Sequence, residues 1–218
     1  MPSAKVIVRI LCFALCASFL TSAAFAAQPK IESIGAIPGA IPPAVKSGIA
    51  DSGFRVTLDG NVLAEIWPAK SAISEKNGSA SALYPEFATG GFYGVISFPN
   101  GAADFRGQKI SAGTYTLRYE LLPGDGNHMG VAPNPDFFLL VPVDLDPAPA
   151  NKITYATLVN MSAKASGTAH PAAFSLAEAG DKVPGAETND QGYVIATVPI
   201  GTANGRIKVA IIVKGTAE

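Results

Sequence analysis

The sequence predicts a mainly β domain, an antiparallel β-sandwich or partly open barrel with one helix around residues 152–165. Three observations lead to this fold class. Short runs rich in β-branched and aromatic residues recur along the chain, turn-forming Gly, Pro, Asn and Asp residues separate them, and one segment has helical spacing. Short strands with frequent turns are typical of sandwiches and small barrels.

The first elements form a predicted hairpin. Residues 54–58 and 61–67 are two β-rich runs, and the Asp59-Gly60 dipeptide between them favours a tight two-residue turn. After the hairpin, residues 70–82 are rich in Ser, Ala and Gly, which predicts a surface loop.

A second group of strands covers the middle of the chain. Runs at residues 92–98 and 104–110 flank a turn at Pro99-Asn100-Gly101. Apolar and polar residues alternate strictly over residues 114–121, so we expect one face of this strand to be buried and the other to be wet. Residues 136–143 are apolar on both faces, which predicts a central strand.

The predicted helix follows these strands. Over residues 152–165, apolar side chains recur three or four positions apart, and Gly167 is placed to end the helix. Three more β-rich runs complete the domain, at residues 172–177, 192–199 and 206–213.

The first residues have the pattern of a secretory signal. Lys5 and Arg9 precede an apolar run at residues 10–20, and Ala24-Phe25-Ala26 supplies a cleavage site between small residues. We therefore expect residues 1–26 to be a signal peptide and the protein to be exported, to the periplasm or beyond the cell. The apolar run is shorter than the roughly 20 residues that a membrane span needs, so we expect no membrane span after cleavage.

The remaining chain divides into two predicted parts. Residues 27–53 carry scattered Pro and Gly without a regular period, which predicts an extended leader, and residues 54–218 form a single β-sandwich domain. Both cysteines, Cys12 and Cys16, lie in the predicted signal. After cleavage we therefore expect no disulfide and no cysteine nucleophile. A net charge of -1 gives no basic surface for nucleic acid, and we expect a monomer.

The loop at residues 123–136 holds the most concentrated chemistry. It contains Asp125, Asn127, His128 and Asp136, and the second histidine of the chain is His170. The spacing does not fit an EF-hand, but these residues are the candidate binding set, and two histidines with carboxylates could hold a divalent metal if the fold brings them together. The competing interpretation is that Asp and Asn bond turn amides and that each histidine bonds nearby backbone.

Aromatic residues supply the other candidate site. Trp67, Tyr84 and Tyr93 belong to an aromatic-rich region and, if exposed, would form a stacking platform for sugars or peptides. The alternative is that they are core anchors.

One stretch carries a resemblance to known proteins. Residues 104–119 run into Asp125-Gly126-Asn127-His128-Met129-Gly130-Val131 and then into Asp136-Phe137-Phe138-Leu139-Leu140. This stretch resembles exported bacterial β-proteins of unknown function, and Ile110-Ser111-Ala112-Gly113-Thr114-Tyr115-Thr116-Leu117 looks like the Ala-Gly-x-Tyr-x-Leu hairpin of a wider secreted domain family. The resemblance implies export and a β fold, and it implies no activity.

Two functions remain open from the sequence. The first is an exported, non-enzymatic module with a binding or structural role, whose partner is a small molecule, a glycan or a protein. The alternative is a metal-assisted, hydrolytic site at the 123–136 loop that uses His128, Asp125, Asp136 and His170. The sequence contains no glycine-rich phosphate motif or serine-nucleophile motif, so it predicts no nucleotide cofactor.

Overall fold

A computed structural model describes residues 27–76, 78–123, 132, 134–146 and 148–215. In this part of the chain, most strands join one antiparallel sheet of ten strands. The strands are β1 (Lys30–Ile34), β2 (Gly53–Leu58), β3 (Asn61–Pro68), β4 (Phe92–Phe98), β5 (Ala102–Ala103), β6 (Lys109–Ile110), β7 (Gly113–Leu121), β8 (Asp136–Pro142), β9 (Ala173–Ala177), β10 (Gly185–Thr188), β11 (Val194–Thr202) and β12 (Gly205–Lys214). The helices are α1 (Pro43–Gly48) and α2 (Tyr155–Ser166), with a 3₁₀ turn at Val143–Leu145.

The sheet curls until its two edges meet. Its order is β1-β2-β3-β4-β7-β8-β9-β12-β11-β10, and the edge strands β1 and β10 contact each other. The strands therefore form a nearly closed barrel, as the partly open barrel of the sequence prediction anticipated. The short strands β5 and β6 pair separately between β4 and β7. No helix in the described residues is long and apolar enough to cross a membrane.

Side-chain alternation separates the inside of the barrel from its outer face. On β8, Phe138 and Leu140 belong to the main core, whereas Phe137, Leu139 and Val141 form a second cluster beneath α2. The strand is apolar on both faces because one face meets the barrel interior and the other meets the helix.

Local signals in the sequence explain several element ends. Asp59 and Gly60 both adopt positive φ, at 51° and 78°, which is the backbone of a tight turn between β2 and β3. Helix α2 ends at Gly167, whose left-handed φ of 66° lets its amide donate to the carbonyl of Ala163. The predicted hairpin and helix end are therefore confirmed.

The barrel begins earlier in the chain than the sequence predicts. The segment predicted as a leader, residues 27–53, contains β1, which pairs with β2 along its whole length, and α1, whose Val45 is fully buried. A polar five-residue strand and a short helix show no clear hydrophobic period, so the sequence predicts an irregular segment there. The leader and the domain boundary at residue 54 are corrected accordingly.

Two further local predictions change. Residues 104–110 do not form one strand, because Asp104 turns the chain sharply by accepting hydrogen bonds from the amides of Arg106 and Gln108. Strand β10 lies between the predicted runs at residues 172–177 and 192–199, where the sequence analysis places no strand.

The polar face of β7 is buried rather than wet. Thr116 and Arg118 both bond Asp146 at the end of the 3₁₀ turn, and Arg118 is completely buried with that residue. Arg118 Nε and Nη2 donate to the two oxygens of the Asp146 carboxylate at 2.9 and 2.6 Å. Glu120 is 5% exposed. A period-2 pattern identifies the strand, but it does not reveal that another segment covers its polar side.

Candidate functional site

The structure places only part of the predicted binding loop. Asp125, Asn127 and His128 lie outside the described residues, while Asp136 and His170 lie within them.

Asp136 is a buried structural carboxylate. One oxygen accepts hydrogen bonds from the Tyr119 hydroxyl at 2.6 Å and the Tyr84 amide at 3.1 Å, and the other accepts from the Leu83 amide at 2.8 Å. Because Asp136 precedes Phe137 on β8, it faces the barrel interior. Its bonds fix the segment around Tyr84 inside the barrel, which is a structural role.

His170 lies on the opposite face of the sheet. It is exposed in the connection between α2 and β9, on the outer side of the barrel. The fold therefore does not bring Asp136 and His170 together. Among the described residues, no group of three His, Cys, Asp or Glu side chains could hold a metal ion.

The predicted aromatic platform is wrong. Trp67 and Tyr93 are completely buried, and Tyr84 is 5% exposed. The Trp67 indole donates to the Gly35 carbonyl at 3.0 Å, and the Tyr93 ring stacks on Phe87 with centroids 4.1 Å apart. Burial also raises the pKa of Tyr84 to about 12, because ionising the phenol would place a charge in the core. These rings anchor the core.

A mostly apolar cleft on the outer face of the barrel is a candidate binding site in the described part of the chain. We call it the α2 cleft. Its floor is formed by Phe137 and Leu139 of β8 and Ala173 of β9, and Tyr155 and Val159 of α2 form one wall. The remaining lining residues are Arg106, Leu122, Pro123, Ala169, His170 and Pro171.

The cleft has the size and composition of a small-molecule site. Its volume is about 350 Å³. Ligand pockets are mostly apolar, span roughly 300–1,000 Å³ and carry a few polar groups that fix orientation. The described lining follows this pattern, since its polar side chains are Arg106, His170 and Tyr155, and it includes no carboxylate.

Hydrogen bonds hold the turn that carries Arg106 in place. The buried carboxylate of Asp104 accepts from the amides of Arg106 and Gln108 and from the Gln108 side chain, at 2.7 to 3.0 Å. The Phe105 amide donates to the Ala173 carbonyl at 3.2 Å, so the turn is tied to the cleft floor.

The same network reaches the loop that carries His170. Gln108 donates to the Pro171 carbonyl at 3.1 Å and accepts from the Thr168 hydroxyl at 2.8 Å. The Ser166 hydroxyl donates to the His170 carbonyl at 2.6 Å. Two sequence-distant loops are therefore fixed against each other on one side of the cleft, which reduces the ordering cost of binding.

Glu120 is buried next to the cleft floor. It pairs with Phe137 across β7 and β8, so their side chains share the outer face. Burial raises the pKa of Glu120 to about 7, although hydrogen bonds from the backbone amides of Leu121 and Gly90 act in the opposite direction. Glu120 does not itself line the cleft.

Sequence reasoning identified His170 but missed Arg106. The β-rich run predicted at residues 104–110 includes Asp104-Phe105-Arg106-Gly107-Gln108, although Asp followed by Gly three positions later is a turn signal. Recognising the turn would have placed Arg106 on a loop. Its position beside α2 depends on strand order, which the sequence does not reveal.

A comparison with protein-family models, curated proteins and solved structures found no match to this chain. The resemblance to exported bacterial β-proteins stays a prediction.

Proposed function

We propose that this protein is an exported, non-enzymatic binding module that takes a small apolar ligand in the α2 cleft. The observation that carries the proposal is a concavity of about 350 Å³ between α2 and the sheet, with mostly apolar walls. Ligand pockets are concave, mostly apolar and upward of roughly 300 Å³ in volume. A small apolar molecule therefore fits this cleft.

The chemistry of the walls favours binding over catalysis. The described lining residues carry neither a carboxylate nor a serine or cysteine nucleophile, and Asp136 is fully engaged inside the barrel. The barrel interior is filled by its own aromatic side chains, so the outer cleft is the better place for a ligand.

Dye binding tests this proposal. N-phenyl-1-naphthylamine is a neutral apolar dye whose fluorescence rises in apolar surroundings, and we expect saturable binding at one site. Ala169→Trp would fill the cleft from its loop wall and Ala173→Leu from its floor. Each should weaken dye binding roughly ten-fold or more, which corresponds to about 1.4 kcal/mol.

The matched control is Ala203→Trp, which places the same side chain on the exposed turn between β11 and β12, away from the cleft. It should bind the dye as the parent does. Either of two results rejects the proposal: no saturable binding to the parent, or equal binding by the two cleft-filling variants and the control.

Export is the second part of the proposal. It is supported by the basic residues Lys5 and Arg9, the apolar run at residues 10–20 and the Ala24-Phe25-Ala26 sequence. The mass of the protein recovered from its producing cell should correspond to a chain that begins at Ala27. Recovery of the uncleaved chain alone would contradict export by this signal.

A further inference from the structure

We propose that the ligand of the α2 cleft is a small carboxylic acid with an apolar body, and that Arg106 binds its carboxylate. This inference rests on the proposed function, because it names the ligand class of the same site. It is carried by the charge of the cleft: the described lining has one permanent cation and no carboxylate.

Arg106 is available for an anion. Its side chain is exposed, and no described carboxylate lies within ion-pair distance of its guanidinium, whereas the carboxylate of nearby Asp104 is taken up by backbone amides and Gln108. A guanidinium presents paired N–H donors that match the two oxygens of a carboxylate. His170, on the loop joined to this turn by hydrogen bonds, is another polar side chain of the lining, with Tyr155 on α2.

The other cations near this region do not substitute for Arg106. Lys109 follows it on β6, is exposed and does not line the cleft. Arg118 is on the outer face of β7, but it is fully buried, and its donors are used by Asp146 and by the carbonyls of Gly90, Ala148 and Asn151. Arg106 is therefore the described guanidinium that a bound carboxylate could reach.

The apolar floor of the cleft indicates that the rest of the ligand is apolar. Phe137, Leu139 and Val159 offer no hydrogen bonds from their side chains, so a polar acid would lose hydration without replacement. An aryl or alkyl body gains from burial against these side chains. A carboxylate attached to such a body satisfies both parts of the lining.

Two probes that share one alkyl chain and differ only in the head group test whether the cleft prefers a carboxylate. Decanoate and decanol are used to displace N-phenyl-1-naphthylamine from the full-length protein. Without a cation, the neutral alcohol should bind an apolar cleft more tightly than the charged acid. We expect the reverse order, with decanoate the tighter ligand, and we expect this preference to shrink as salt is raised.

Arg106→Gln is the decisive variant, because the backbone amide that donates to Asp104 is retained. It should weaken decanoate binding roughly five- to ten-fold and leave decanol within about two-fold, since only the carboxylate loses a charge-assisted hydrogen bond. Lys109→Gln removes the same charge from the same loop region and should change neither probe.

The outcomes separate this inference from the proposed function. If the dye binds but the protein binds decanol as tightly as decanoate or more tightly, the ligand is not a carboxylic acid. The proposal of an apolar ligand in the α2 cleft is then retained. If decanoate is preferred but Arg106→Gln behaves like Lys109→Gln, the anion is held elsewhere and the role of Arg106 is overturned. If the dye itself does not bind, the proposed function fails first.

Discussion

At the residue scale, two aspartates stabilise the fold through buried hydrogen bonds, although their positions in the sequence suggested a functional site for one and a strand for the other. Asp136 and Asp104 are both completely buried, and each accepts hydrogen bonds from backbone amides, Asp136 from those of Leu83 and Tyr84 and Asp104 from those of its own turn. Buried carboxylates persist when donors replace the water that they lose. Their burial therefore explains their presence without catalysis.

Glu120 differs from these two carboxylates because burial raises its pKa from 4.5 to about 7. Below about pH 4.5 the carboxyl is protonated in both the folded and unfolded chains. Between that pH and about pH 7, the unfolded chain ionises while the folded protein does not, so stability falls as the pH rises. Above about pH 7 this contribution stays constant.

Glu120→Gln removes this loss of stability. The difference in unfolding free energy between the variant and the parent should move in favour of the variant by roughly 2–3 kcal/mol from about pH 4.5 to about pH 8. Urea denaturation at a series of pH values measures it. Glu187→Gln, on the exposed side of β10, is the control and should follow the parent. A parallel pH profile for Glu120→Gln and the parent would contradict the prediction.

At the element scale, the buried pair of Arg118 and Asp146 attaches the chain between β8 and α2 to the barrel wall. Asp146 also accepts from the Thr116 hydroxyl at 2.7 Å, and the Arg118 guanidinium lies 5.6 Å from the Phe92 ring. Through its carbonyl partners Ala148 and Asn151, Arg118 fixes the approach to α2. The position of α2, and hence of its cleft, depends on this attachment.

Breaking the pair should be costly. Arg118→Met leaves the Asp146 carboxylate buried without its cation, and we expect a loss of about 3–5 kcal/mol in the free energy of unfolding. The double variant Arg118→Met with Asp146→Leu should recover part of that loss, because no unpaired charge remains, but three backbone carbonyls still lose the Arg118 guanidinium as a donor.

Denaturant unfolding measures these losses. Arg55→Met is the control, since the Arg55 side chain is 38% exposed and pairs with exposed Glu32 and largely buried Glu65, whereas Arg118 and Asp146 are both fully buried, and it should change stability less. A loss in Arg118→Met no larger than that of Arg55→Met would show that the buried pair does not hold the segment.

The sequence could predict elements whose period or turn residues are strong. The hairpin of β2 and β3, the strand β4 and the end of α2 follow from local patterns. Strands β1 and β10 were missed because they are short and partly polar, and their pairing depends on distant partners. The α2 cleft was missed for the same reason, since strand order brings Arg106, Tyr155 and His170 together.

At the scale of the whole molecule, the barrel is a filled scaffold. Phe87 comes from the segment between β3 and β4, is completely buried, and packs at centroid distances of 4.1 to 5.3 Å from Tyr84, Tyr93 and Tyr119. Larger barrels can enclose a ligand, but a small one is filled by its side chains. Loss of the Phe87 ring should therefore change the binding of a ligand inside the barrel but not the binding of a ligand in the outer cleft.

Phe87→Ala separates these two locations. Removing the ring should cost about 3–5 kcal/mol of stability, because it leaves a cavity in a packed core. Binding of N-phenyl-1-naphthylamine at the α2 cleft should stay within about two-fold of the parent at temperatures where the variant is folded, since Phe87 lies on the inner side of the sheet. Leu145→Ala, at a side chain that is 48% exposed, is the stability control and should cost less than about 0.5 kcal/mol. If Phe87→Ala abolished dye binding while its circular dichroism matched the parent, the dye would bind inside the barrel and the outer cleft would lose its assigned role.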